Sequence, residues 1–134
     1  ERKLIDDLPF KLTELTNMFD YFANEREVLM CQGERFDGTG HPRGLKGDGI
    51  PLGARIFTVI DALAAMNADR PYRRRLTAEE IVTELIKGSG KQFDPFLVSQ
   101  ILTVIENNNL LNLDHIVLEQ ARKDLFNTFP ELII

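Results

Sequence analysis

His41, His115, Asp61 and Cys31 are the residues with which this chain of 134 could hold a metal or activate a nucleophile. A first-row metal ion wants imidazole and carboxylate ligands converging on one point. His41, His115 and Asp61 come from three remote places in the sequence and supply at most three ligands. That is thin for one ion and too few for two. Cys31 has no histidine near it in sequence, so a Cys–His nucleophile is unsupported, and it reads as a buried small hydrophobe. Being the single cysteine, it forms no internal disulfide, and a reducing cytoplasm is the expected setting. The remaining chemistry lies in guanidinium groups. Arg70, Arg73, Arg74 and Arg75 crowd one short segment, and guanidinium forks match phosphate oxygens in a bidentate way. The stretch "KGSGK" lacks the spacing and trailing Ser/Thr of a phosphate-cradling loop and reads as a turn after a helix.

Charge points the same way. The chain carries a net −5, yet from Glu34 to Arg75 eight Lys/Arg stand against five Asp/Glu. A basic stripe on an acidic protein suits a small anionic ligand better than bulk nucleic acid. No apolar run reaches the ~18 residues of a membrane span. The opening "ERKLIDDLPF" has neither the basic nor the apolar region of a signal peptide, so no membrane association is expected.

The elements that must position these residues are helical. Apolar residues at Leu12, Leu15, Met18, Phe19, Phe22, Val28 and Leu29 recur at three-or-four spacing. "IPLGARIFTVIDALAAMNA" is apolar on most sides and reads as a central buried helix, broken by "DRPYRRR". Asp61 on such a helix is expected to pair with an arginine, Arg55 or Arg70; a competing reading of the arginine segment has Arg70 pairing with an acid and Tyr72 packing the loop. Thr77 with Glu80 forms a capping-box pattern, and Gly88 is the expected C-cap. Asp94-Pro95 opens another helix, and a last one is expected from Asp114 to Phe129. Nothing alternates with period 2, so the fold class is all-α: one domain over 1–134, a bundle of about five to six helices. The exception is "FDGTGHPRGLKGDGIP", with five glycines and two prolines in sixteen residues. Phe36, Leu45 and Ile50 are spaced to pin this loop onto the helices, leaving Arg43, Lys46 and Asp48 outward.

From Glu34 to Val98 the chain resembles the C-terminal half of an HD-GYP domain. The resemblance rests on Glu34-Arg35, Asp37-Gly38-Thr39-Gly40, Gly44-Leu45-Lys46-Gly47, Ala54-Arg55-Ile56, Asp69 to Arg73, and Gly90 with Phe93-Asp94-Pro95. It implies an HD-domain-like helical fold and a place among metal-dependent phosphodiesterases that act on cyclic di-GMP in bacteria. The departures are as specific as the matches. The family's paired metal-ligating histidines fall on Gln32 and Gly33, its signature tyrosine on His41, and the second aspartate of its helix on Ala64. The first helix aspartate is kept as Asp61, a vestigial ligand under this comparison. "ERKLIDDLPF" does not resemble the family's N-terminal half.

The resemblance therefore implies a degenerate, non-hydrolytic regulatory or interaction module with no expected cofactor. The alternative is part of an active phosphodiesterase, using divalent iron or manganese, whose other ligands lie outside this chain. Arg70, Arg73 and Lys46 are the expected phosphate contacts of a cyclic dinucleotide. Asp37, Gly38, Gly40, His41, Pro42 and Arg43 form the expected interaction loop, with a GGDEF or other signalling protein as partner.

Overall fold

The computed structural model describes residues 23–132, and every structural statement below concerns these. The chain divides into two compact units, Glu1–Thr58 and Val59–Ile134. Five α-helices follow in order: α1 (Ala23–Met30), α2 (Leu52–Met66), α3 (Ala78–Gly88), α4 (Pro95–Asn107) and α5 (His115–Thr128). Short 3₁₀ turns lie at Gly47–Gly49, Leu110–Asn112 and Pro130–Leu132. No strand occurs among the described residues, and the all-α class holds.

In the first unit α1 leads into the glycine-rich loop, which returns at Ile50 to start α2. Its small core joins Cys31, Ile50 and Ala54, with Val28, Met30 and Leu45 packed against them. Most of the expected N-terminal helix, from Leu12 to Phe22, lies outside the described residues.

The second unit is built as the local signals require. The Thr77 hydroxyl accepts from Glu80 N at 3.2 Å, and the Glu80 carboxylate accepts from Thr77 N at 2.9 Å, a full capping box. Ile81, Val82 and Leu85 then fall on one buried face. Asp94 accepts from Phe96 N at 2.9 Å to start α4, and Pro95 takes the first helical position, where a missing N–H costs nothing. Asp114 does the same for α5 through Ile116 N at 3.0 Å. Buried Val98, Leu102 and Ile105 of α4 meet Leu118, Ala121 and Leu125 of α5 in the same core.

Two expectations change. Gly88 is the last residue of α3 rather than its cap. Ser89 is the cap, and the positive φ of 78° falls at Gly90. A Cβ at Gly88 would come 2.6 Å from the Phe93 ring, so the glycine makes room for that side chain. Helix α2 is not buried all round. Ala54 and Val59 are buried, but Leu52, Ile56, Phe57 and Ile60 are 39–54% exposed. The helix carries apolar residues on more faces than the described neighbours cover.

Candidate functional site

The glycine-rich loop is folded tightly on itself. The Glu34 side chain is 3% exposed. Its Oε1 accepts from Arg43 N at 2.7 Å and its Oε2 from Leu45 N at 2.9 Å. The backbone adds His41 N to Gly33 O at 3.1 Å and Gly47 N to Phe36 O at 2.9 Å. Residues 33–36 thus run against residues 41–47. Gly40 sits where they come closest: a Cβ there would lie 2.5 Å from Arg35 N and 2.7 Å from Glu34 Cα. Asp37 closes the tip by accepting from Thr39 N at 3.0 Å and from the Thr39 hydroxyl at 2.6 Å. These two bonds, the hydroxyl's first, with Arg35 nearby, hold the Asp37 carboxyl below the usual carboxylate range.

Of the three expected pins, Ile50 is buried and Leu45 packs on the small core, whereas Phe36 is half-buried outside it. Arg43, Lys46 and Asp48 are all exposed, as expected. Two of them are nevertheless tied down: Arg43 to Glu27 on α1 at 3.0 Å, and Asp48 to Arg55 on α2 at 3.6 Å. His41 lies over Gly33. A Cβ at Gly33 would fall 2.6 Å from the imidazole Cε1 and 2.8 Å from Nδ1. Cys31 is fully buried, and burial raises its thiol pKa, so it supplies no nucleophile.

Asp61 overturns the expected pairing. It is exposed on α2 and makes no ion pair or hydrogen bond among the described residues. Arg55 instead turns back to the loop, donating from Nε to Ile50 O at 2.9 Å. Six residues along an α-helix separate side chains by about 120° around the axis, so Arg55 and Asp61 look different ways.

The arginine segment resolves into distinct roles. Arg70 and Arg73 pair across a tight turn, with Arg70 N to Arg73 O at 2.7 Å and Arg73 N to Arg70 O at 3.2 Å. The turn throws Tyr72 outward, 85% exposed, which rules out the competing reading in which it packs the loop. Arg73 reaches back to Ala65 O at 3.2 Å, a carbonyl of the last turn of α2. Arg74 pairs with Glu80 at 3.1 Å and Arg75 with Asp69 at 3.8 Å. Arg70 is exposed, with no side-chain partner among the described residues. Lys46 is exposed on the loop, its stem against Gly38.

His115 opens α5 with its Nδ1 2.8 Å from Glu106 and its Nε2 3.9 Å from Glu119. Arg122 also pairs with Glu106 and, with His115, holds that carboxyl below its ordinary range. Among the described residues no group of three or more His, Cys, Asp or Glu is arranged to hold a metal ion. The donors among the described residues do not by themselves form the metal cluster that the HD-GYP resemblance implies. Sequence reasoning missed the Glu34 clamp, whose only signal is one acid inside a basic loop. It also missed an open groove of about 420 Å³ between α3 and α5, walled by Val82, Ile86, Ile116 and Val117. Those residues carry only the periodicity of an ordinary core.

A family model described as an HD domain matches residues 1–97, upstream opening included. A probable cyclic di-GMP phosphodiesterase of Vibrio cholerae is 36% identical over 88 residues, 66% of this chain and 20% of that protein. A cyclic di-GMP phosphodiesterase response regulator of Xanthomonas campestris is 42% identical over 75 residues, 56% of this chain and 20% of that protein. A 3'3'-cGAMP-specific phosphodiesterase of Vibrio cholerae is 38% identical over 77 residues, 58% of this chain and 15% of that protein. The matched segments thus amount to about a fifth or less of each relative's length.

Proposed function

The chain belongs to the HD domain family, and from that premise we propose that it is a non-hydrolytic regulatory and interaction module in bacterial cyclic dinucleotide signalling. The observation that carries the reading is the pair Gln32-Gly33. These stand where HD-GYP domains place their paired metal-ligating histidines. A neutral amide is a poor ligand for iron or manganese beside imidazole, and glycine has no ligating side chain. A two-metal hydrolysis needs a cluster that generates hydroxide at neutral pH, and the described donors offer none. The similarity to phosphodiesterases named for cyclic di-GMP and 3'3'-cGAMP supports a cyclic dinucleotide as the ligand class.

Arg70 is the first candidate for a phosphate contact, because its side chain is exposed without a partner among the described residues. Lys46 is exposed on the loop. Arg73 is the weakest of the three, being engaged with Ala65 O. The loop carrying Asp37, Gly38, Gly40, His41, Pro42 and Arg43 is the docking surface for a GGDEF or other signalling protein. The clamp at Glu34 supports this by giving the loop one shape. The proposal takes 1–134 as a single cytoplasmic domain. No helix among the described residues is long and apolar enough to cross a membrane.

The second reading, part of an active metal-dependent phosphodiesterase with ligands outside this chain, is favoured by the retained Asp61 and by the relatives' names. One experiment tests the non-hydrolytic reading of this chain directly. Purified protein is loaded with iron or manganese and incubated with cyclic di-GMP and 3'3'-cGAMP, and linear products are counted by chromatography. No hydrolysis above background is expected. Turnover that disappears in Asp61→Ala would establish the enzyme and overturn the module.

A further inference from the structure

We propose that Gly33 is the seat of the His41 imidazole: a positioning residue that holds the ring at the edge of the loop by leaving empty the space its own side chain would fill. A Cβ at residue 33 would fall 2.6 Å from the ring's Cε1, 2.8 Å from its Nδ1 and 2.8 Å from the His41 carbonyl oxygen. Carbon atoms in contact sit about 3.5–4.0 Å apart, so all three approaches are forbidden. The ring end could swing away. The carbonyl cannot, because His41 N bonds Gly33 O at 3.1 Å and fixes the spacing of the two runs. A Cβ at Gly40 would crowd Arg35 and Glu34 as closely, so the two runs are packed at backbone contact, and the bonds across them resist their parting. The Glu34 carboxylate draws residues 43 and 45 to the same place. A side chain at 33 and the imidazole in its present position therefore exclude each other.

Two consequences follow. His41 is exposed yet seated, so a partner meeting the loop finds the ring already placed and does not have to order it. The other consequence rests on the proposed function. Restoring a ligating side chain at 33 by a single substitution would displace His41, so the absence of a ligand at 33 and the ring at 41 are one structural state.

The chain has two histidines, which makes the test direct. In the unaltered protein, NMR should show a nuclear Overhauser effect between the Gly33 α-protons and His41 Hε1. In Gly33→Ala the His41 ring resonances should shift, while those of His115, held by Glu106 in the other unit, stay in place. A folded native protein without the Overhauser contact overturns the seat. So does a folded Gly33→Ala with unmoved His41 resonances. Should Gly33→Ala fail to fold, the contact in the native protein decides alone. Neither readout involves metal or hydrolysis, so phosphodiesterase turnover would overturn the functional reading and leave the seat standing.

Discussion

Glu34 and Leu45, eleven residues apart, are joined by a 2.9 Å hydrogen bond from a backbone N–H to a carboxylate oxygen. The other oxygen of that buried carboxylate takes Arg43 N at 2.7 Å. One side chain thus replaces the sheet or helix partners that these two amides would otherwise need. Glu34→Gln keeps the shape but turns an acceptor into a donor facing an N–H. It should cost about 1–3 kcal/mol, the range for leaving one such group unsatisfied. Glu34→Ala orphans both amides and should cost more. Chemical denaturation measures the loss. Hydrogen exchange should quicken at Arg43 and Leu45 before it does in α3 or α4.

The arginines of the exposed turn should separate by assay. Arg73 donates to the Ala65 carbonyl at 3.2 Å near the end of α2. Arg73→Ala should therefore cost the ~1 kcal/mol of stability typical of a hydrogen bond that satisfies a helix end, read as a lower melting temperature. Arg70→Ala touches no such bond and should leave stability within about 0.5 kcal/mol. If a cyclic dinucleotide binds through the turn, calorimetry should show Arg70→Ala weakening it about tenfold, in line with a lost charge-assisted contact. An unchanged affinity in Arg70→Ala would remove this residue from the proposed ligand site.

Much of the second unit was legible because its signals are local. Thr77 with Glu80, Asp94 with Pro95, and Asp114 each satisfy orphan amides at a helix start, and the structure uses all three. The loop's glycines, its buried Ile50 and its outward Arg43, Lys46 and Asp48 were also readable. What failed depended on direction in space. Asp61 was expected to pair with Arg55 or Arg70 because its helix is apolar, but composition does not say which faces neighbours cover. The competing reading in which Tyr72 packs the loop fails because the pairing of Arg70 with Arg73 turns it out. Glu34 belongs to a motif that gives it no role by itself, since its partners are backbone amides that leave no mark in residue types. The positions of Gly33 and His41 were both visible as departures from the HD-GYP pattern. That they touch was not.

Glu106 should contribute to the acid limb of stability, beside Asp37 and Glu80, whose carboxyls are also held below their ordinary range. The Glu106 carboxyl is held below the ordinary glutamate range, by Arg122 first and His115 second. A folded-state pKa below the unfolded one means the unfolded chain takes up the proton more readily as pH falls. The contribution is therefore complete above the unfolded value, near pH 4.3, and is lost as pH drops through the lower folded value. Arg122→Ala removes the larger cause. It should shrink the difference in stability between neutral and acid pH, read as a flatter melting-temperature profile below about pH 5. A profile unchanged in Arg122→Ala would show that the Arg122–Glu106 pair contributes nothing to the acid limb.

The density of glycine in the loop predicts opposite outcomes at two of its positions. A Cβ at Gly40 would meet backbone, 2.5 Å from Arg35 N and 2.7 Å from Glu34 Cα. Neither atom is the end of a flexible side chain, so relief requires parting residues 33–35 from 40–41. That motion strains the His41–Gly33 bond and the Glu34 clamp together. Gly40→Ala should cost at least the ~1–3 kcal/mol usual for overpacking. Gly49 stands in open space, with nothing within 4 Å of an added Cβ. Its φ is also not among the positive ones. Gly49→Ala should be neutral or stabilising by about 0.4–1 kcal/mol, because alanine narrows the unfolded ensemble without a native-state clash. Paired thermal melts test both. Equal destabilisation at the two positions would mean the loop needs glycine for general flexibility. A large loss at Gly40 beside none at Gly49 would mean it needs glycine for close backbone approach, the condition for one fixed loop shape.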